Sequence, residues 1–186
     1  MTQETTPPDR IETERLVLRP FRADDFDAVH AYATDEGTYR YMNWGPNTPE
    51  TTREVLGKWV EDQRTWPRGD LNYAVTLKAT GELIGCCSLH HADTENGAIG
   101  YCYHSAHWRK GYGTEAARAV AALAFERLGH HRVWATCDVR NHGSYGVMEK
   151  LGMRREGHMR RDSKRRDGWS DSFLYAILAE EWTNPS

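Results

Sequence analysis

Trp108-Arg109-Lys110-Gly111-Tyr112-Gly113-Thr114-Glu115-Ala116 is the stretch on which the reading of this chain turns, because two glycines spaced G-x-G open an alanine-rich segment with helical periodicity. The first four N–H groups of a helix have no partner within it, and the helix dipole places partial positive charge at the same end. A phosphate fits there. Glycine removes the Cβ that would hold a ligand off the backbone, and Arg109 and Lys110 add cations able to reach phosphate oxygens. The same letters also describe a plain αL turn before a helix. The spacing is not that of a P-loop, G-x-x-x-x-G-K-[ST], and with Ala116 in third place only the loosest form of the dinucleotide fingerprint G-x-G-x-x-G survives. The choice between cradle and turn rests on the surrounding chain.

Downstream, Ala117, Val120, Ala124 and Leu128 repeat at spacings of three and four, which predicts a helix over 111–128 with one buried stripe. A strand at 132–139 follows, then a helix at 141–151 closed by Gly152, then strands at 154–160 and 172–178. Upstream, strand patterns at 72–77, 83–90 and 98–104 are separated by short polar turns of hairpin type. Before them lie an alternating strand at 15–19, a helix at 23–33 with Asp24 and Asp25 in its first turn, an ordered loop at 39–49 and a helix at 50–66. The order is β-α-α-β-β-β-α-β-α-β-β, which predicts an α/β fold with a mixed central sheet of about seven strands flanked by helices.

At 186 residues the chain suits one domain, expected over 11–186. Residues 1–10 are polar, carry Pro7 and Pro8 and lack the apolar core of a signal peptide, so they are expected to form a mobile arm. A formal net charge of −3 argues against a protein whose main task is holding nucleic acid. No apolar run approaches the roughly 18 residues of a membrane helix, so a soluble protein without a membrane partner is expected. Cys86, Cys87, Cys102 and Cys137 show no C-x-x-C spacing, and neither His90-His91 nor His130-His131 is matched by ligands at zinc spacing. Reduced thiols, no metal and a cytoplasmic setting are the expectation.

With that order in place, the chain resembles the GCN5-related N-acetyltransferase (GNAT) family from about Arg15 to Trp182. The family's pyrophosphate loop, [QR]-x-x-G-x-[GA], falls on 108–113, with Trp108 departing from its first position. An aromatic there, followed by G-x-G-T-E-A, looks like the branch that acetylates ribosomal-protein N-termini. Thr13-Glu14-Arg15-Leu16-Val17-Leu18-Arg19 looks like that branch too, as do Asn141-His142-Gly143-Ser144 with Lys150-Leu151-Gly152-Met153, and Trp169-Ser170-Asp171-Ser172-Phe173-Leu174-Tyr175.

The resemblance implies acetyl-CoA as co-substrate. Its pyrophosphate would be held by backbone amides of Arg109, Lys110, Gly111, Tyr112, Gly113 and Thr114. Its pantetheine arm would run beside the strand carrying Ile99, Tyr101 and Tyr103, in a cleft between that strand and the one at 132–139. Asn141 and Ser144 would stand near the thioester. Many relatives use a Tyr seven residues after the motif Asn to protonate the leaving thiolate, but that position is Met148, and the branch offers Ser144 instead. A serine and an asparagine at a helix start also serve as plain caps. Where relatives often carry a Glu base stands Ala98, leaving Glu95, Glu156, Asp138, Asp162 and His91 as substitutes.

The loop holding Tyr41, Asn43 and Trp44 lies where the family builds its acceptor site, although an aromatic plug fits the same residues. The basic run 160–168 reads as a solvated hairpin or as an attraction for an acidic partner. The leading acceptor is a protein N-terminal α-amine of ribosomal-protein type, and the rival is a small amine such as an antibiotic, polyamine or amino acid. A non-catalytic acyl-CoA-binding domain is the third reading. The protein is expected as monomer or homodimer.

Overall fold

The structure, a computed structural model, describes residues 7–183. The expected arm therefore lies mostly outside the described residues; of its end, Pro7 is buried and the Pro8 carbonyl accepts a hydrogen bond from the Tyr73 hydroxyl at 3.1 Å.

The strands are β1 (Ile11–Glu12), β2 (Leu16–Pro20), β3 (Asp70–Leu77), β4 (Leu83–His90), β5 (Asn96–Tyr103), β6 (Arg132–Asp138), β7 (Arg154–Arg165) and β8 (Gly168–Leu178). The helices are α1 (Phe26–Thr34), α2 (Glu36–Tyr39), α3 (Pro49–Asp62), α4 (Tyr112–Ala122) and α5 (His142–Lys150). They form the expected α/β architecture with an eighth strand. β1 has only two residues, paired Ile11 to Leu18 and Glu12 to Val17, and is too short to show a period. The short helix α2 begins just ahead of the expected loop, started by Asp35, whose carboxylate accepts from the Thr38 N–H. The final hairpin is longer than its pattern suggested, because the basic run continues β7 to Arg165 with no apolar alternation to mark it.

The sheet order is β1-β2-β3-β4-β5-β6-β8-β7, and among the described residues only β5 with β6 is parallel. One face is covered by α4 and α5. There Ala116, Ala117, Val120 and Ala121 are wholly buried against Leu16, Leu18, Leu71 and Leu89. Alanine on the buried stripe brings the helix axis close to the sheet, and each fully buried leucine contributes about 1.5–3 kcal/mol by leaving water. After Ala122 the helix widens into a π-turn over Leu123–Arg127 before Gly129, at φ 71°, ends it. The opposite face is covered by α1 and α3, which bury Phe21, Val29, Tyr32 and Leu56 against Ala74, Cys86 and Cys102.

Candidate active site

The cradle is built first by the chain leaving β5. Trp108 folds back so that its indole N–H donates to the Tyr103 carbonyl at 2.8 Å, which gives the aromatic at this position a structural task. Arg109 at φ 61° and Gly111 at φ 84° then place two left-handed residues around Lys110. Such alternation turns successive N–H groups toward one concavity. Gly111 is the N-cap of α4 and no side chain caps that end, so the first-turn amides of Tyr112, Gly113 and Thr114 are open to a ligand. Arg109 and residues 111–114 line a cavity of about 1260 Å³. Lys110 is outside that lining; its carbonyl accepts from Arg15 Nη1 at 2.9 Å.

Glu115 locks the cradle to the start of the sheet. Its carboxylate accepts from Thr13 Oγ1 at 2.6 Å, from the Arg15 N–H at 2.8 Å and from Arg15 Nε at 2.7 Å. The Arg15 guanidinium also lies over the Tyr112 ring, 4.8 Å from its centre. The Thr13-Glu14-Arg15 and Thr114-Glu115-Ala116 signatures are thus two halves of one clamp. Burial alone would raise the Glu115 pKa, but the bonds from Thr13 and Arg15 outweigh it and hold the carboxyl below its usual value. Glu115→Ala is expected to lower stability by about 1–2 kcal/mol, the scale of a part-buried charged hydrogen-bond set. A thermal melt would show this as a fall of about 2–8 °C.

The cleft is a matter of register. β5 and β6 pair only at Asn96 with Arg132, Gly97 with Val133 and Ala98 with Trp134. Beyond Ala98 they part, while β4 stays on β5 as far as Tyr103 and β8 stays on β6 as far as Asp138. Both inner edges therefore face the gap with backbone groups that an amide-bearing ligand can satisfy. Ile99, Tyr101 and Tyr103 line one side, Thr136, Cys137 and Asp138 the other.

At the gap, Asn141 Oδ1 accepts from the Ser144 N–H at 3.1 Å, so Asn141 caps α5 while facing the cavity. Ser144 is not a capping serine. Its hydroxyl lies 3.2 Å from the Tyr101 hydroxyl, which also donates to the Ser144 carbonyl at 2.8 Å. Burial holds the Tyr101 phenol protonated far above its usual range. This pair of hydroxyls was not legible as a pair, since its members stand on different elements. Met148, by contrast, is buried in the core.

A match of residues 15–154 to the acetyltransferase (GNAT) domain model decides the assignment. The chain belongs to the GNAT acetyltransferase family. It is 34% identical to YnaD of Bacillus subtilis, an uncharacterized N-acetyltransferase, over 92% of this chain and 98% of that one. YdaF of the same organism, a candidate ribosomal N-acetyltransferase, is 32% identical over 78% of this chain and 79% of its own. A GNAT-family acetyltransferase from Bacillus anthracis has a similar structure, with a TM-score of 0.82 at 36% identity, covering 92% of this chain and 99% of that one.

As a GNAT enzyme the protein is an N-acetyltransferase, and members of the family use acetyl-CoA. The uncapped α4 terminus and the parted strands fit that molecule's phosphates and amides. The candidate bases are dispersed. Glu156 pairs with Arg132, His91 stacks on Trp134, and Asp162 borders a separate shallow pocket. Among the described residues, neither these three nor Glu95 lines the cavity. Asp138 does, but Arg140 holds it through Nε at 2.9 Å and Nη2 at 2.8 Å. Among the described residues no group of three or more His, Cys, Asp or Glu is placed to hold a metal ion.

Tyr41, Asn43 and Trp44 line the cavity, and Trp44 also packs on the α1–α3 cluster, so at Trp44 plug and lining are one residue. Part of the basic run meets this loop. The Arg166 guanidinium lies 5.3 Å from the Tyr39 ring centre, that of Arg140 5.8 Å from Tyr41, and Asp167 accepts from Arg140 at 2.7 Å. The hairpin tip thereby meets the end of α2 through Arg166 and the turn after β6 through Asp167.

Proposed function

We propose that the enzyme transfers acetyl from acetyl-CoA, held at the α4 terminus and between the parted strands, to a protein N-terminal α-amine of ribosomal-protein type. Arg109, Gly111, Tyr112, Gly113 and Thr114 receive the pyrophosphate, Ile99, Tyr101 and Tyr103 flank the pantetheine, Asn141 and Ser144 stand at the thioester, and Tyr41, Asn43 and Trp44 receive the acceptor. The observation that carries the acceptor class is the charge of the cavity. Asp24, Asp25, Asp27, Asp35 and Glu36 would favour a polycation if they faced it, yet among the described residues none of them lines it. Asp25 is held by Arg19 and Asp35 by Thr38 and Ser105. The charged residues that do line it are Asp62, Asp70 and Asp138 against Lys58, Arg109, Arg140, Lys150 and Arg165, so acidic side chains are the minority and form no cluster of the kind a polycation needs.

Amine acidity supports the same reading. With a reference pKa of about 7.7–8.0, roughly a tenth of an α-amine is neutral near pH 7, against less than a thousandth of a lysine at about 10.4. The name of YdaF points the same way. The test is release of CoA from acetyl-CoA with free N-terminal peptides, Nα-blocked lysine peptides, polyamines and aminoglycosides. The free N-terminus is expected to give a kcat/KM at least about tenfold above the lysine peptide, following the neutral fraction. Preference for a polyamine or aminoglycoside would transfer the assignment to a small-amine enzyme.

A further inference from the structure

We propose that His90, oriented by Asp70, takes the proton from the acceptor amine. The assignment rests on the acetyl-transfer reading of the cavity and adds to it the base that the candidates from sequence do not supply.

Strand register brings the residues together. Asp70 of β3 lies directly across from His90 of β4, and His90 lies directly across from Ala98 of β5. Residues directly opposite on neighbouring strands share a face. The imidazole therefore stands beside the position where the family resemblance expects a glutamate. His90 Nδ1 is 3.0 Å from Asp70 Oδ1, and because a carboxylate only accepts, Nδ1 is the donor of that contact and Nε2 is the ring nitrogen turned away from it.

Nε2 is turned toward the lip of the gap. A Cβ built on Gly100 would come within 3.1 Å of it, so the absence of a side chain at 100 leaves open the space in front of the ring nitrogen. Gly100 is two residues past Ala98, the last β5 residue paired with β6. Asp70, His90 and Gly100 all line the main cavity, as do Ser88 and Asn72, which bond to each other at 2.8 Å. The other charged groups on this side are Lys58 and Asp62 of α3.

The proton donor stands on the other face. Tyr101 follows Gly100 in β5 and so projects oppositely, toward Ser144 at the start of α5. Acceptor and donor of protons are thus separated by one strand at the point where the sheet opens. In the transfer the amine nitrogen bonds to the thioester carbonyl carbon and the carbon–sulfur bond breaks. One amine proton passes to His90 Nε2, and the departing sulfur takes a proton from the Ser144 and Tyr101 hydroxyls. His90 then releases its proton to solvent and the hydroxyl regains one, so a neutral amine and a thioester yield an amide and a thiol. The His90 side chain is 41% exposed, enough for that exchange.

The experiment measures CoA release by the full chain with the acceptor panel above, and with water alone as acceptor. His90→Gln is expected to lower kcat/KM about 10²-fold on whichever amine is turned over, and to lower acetyl-CoA hydrolysis in step, with the KM for acetyl-CoA and the melting temperature retained. Added imidazole is expected to restore His90→Ala. Asp70, a positioning residue, is expected to cost less, about tenfold in kcat for Asp70→Asn with the acceptor KM unchanged. Activity of His90→Gln within twofold of wild type would overturn the assignment, as would a loss in His90→Ala that imidazole does not repair. A wild-type preference for lysine peptides or polyamines would correct the acceptor class while leaving the His90 result readable on that acceptor.

Discussion

Ser144→Ala combined with Tyr101→Phe is expected to lower kcat by about 10²–10⁴, the contribution of a general acid, with little change in the KM for acetyl-CoA. The two hydroxyls lie 3.2 Å apart at the end of the gap, and on the proposed reading either would hand a proton to the departing sulfur, the phenol by turning away from the Ser144 carbonyl. Each single replacement leaves the other hydroxyl in place and is expected to cost less than half of the combined loss on a logarithmic scale. That non-additivity is the signature of a shared role. Stopped-flow or steady-state release of CoA from the two single variants and the double variant closes the cycle. A double variant within a few-fold of wild type would remove both hydroxyls from the mechanism. Tyr101→Phe also loses the bond to the Ser144 carbonyl, so melting temperatures taken alongside separate a folding loss from a chemical one.

The second large effect is expected at Asp138. Its side chain is completely shielded from solvent, and it accepts from the Arg140 N–H at 2.9 Å as well as from the Arg140 guanidinium. Arg140 in turn reaches Asp167 and Ser170 of the final hairpin. Losing charge-assisted hydrogen bonds of this kind costs about 1.5–3 kcal/mol, and Arg140, half exposed and still paired with Asp167, is left able to rehydrate. Asp138→Ala is therefore expected to cost about 2 kcal/mol and to lower the melting temperature by about 4–8 °C. Burial by itself would raise the Asp138 pKa, but the Arg140 bonds prevail and depress it. A depressed carboxyl contributes stability that is complete above its unfolded value of about 3.9 and fades as pH falls through the lower folded value. Denaturation from pH 7 to pH 3 should show a constant gap between wild type and Asp138→Asn that narrows only at the acid end. A gap that narrows near neutral pH would assign the effect to another group.

The sequence yielded the elements that announce themselves by periodicity or by a motif. The α4 stripe, the open helix terminus at Gly111 and the α5 start at Asn141 were all legible, because each is written in neighbouring residues. What escaped was written across the sheet. The Glu115 clamp joins residues 100 apart in the chain, the Tyr101 and Ser144 hydroxyls are 43 apart, and Asp70 meets His90 from 20 residues away. Only strand register brings these pairs together, and register depends on the whole sheet. The length of β7 was hidden for another reason: as an edge strand exposed along most of its length it carries charges, and no buried face imposes alternation on them.

The three-residue seam between β5 and β6 makes the sheet two half-sheets joined at one end. A ligand whose amides occupy the open end would act as a removable rung, and its binding energy would count toward the stability of the whole fold, about 2.7 kcal/mol at a hundredfold excess over its dissociation constant. Free CoA retains the same rung-forming arm. Spent co-substrate bound in the proposed way would continue to brace the two halves after the acetyl group has gone, and departure of the product would then be a mechanical event for the protein as well as the end of a chemical one.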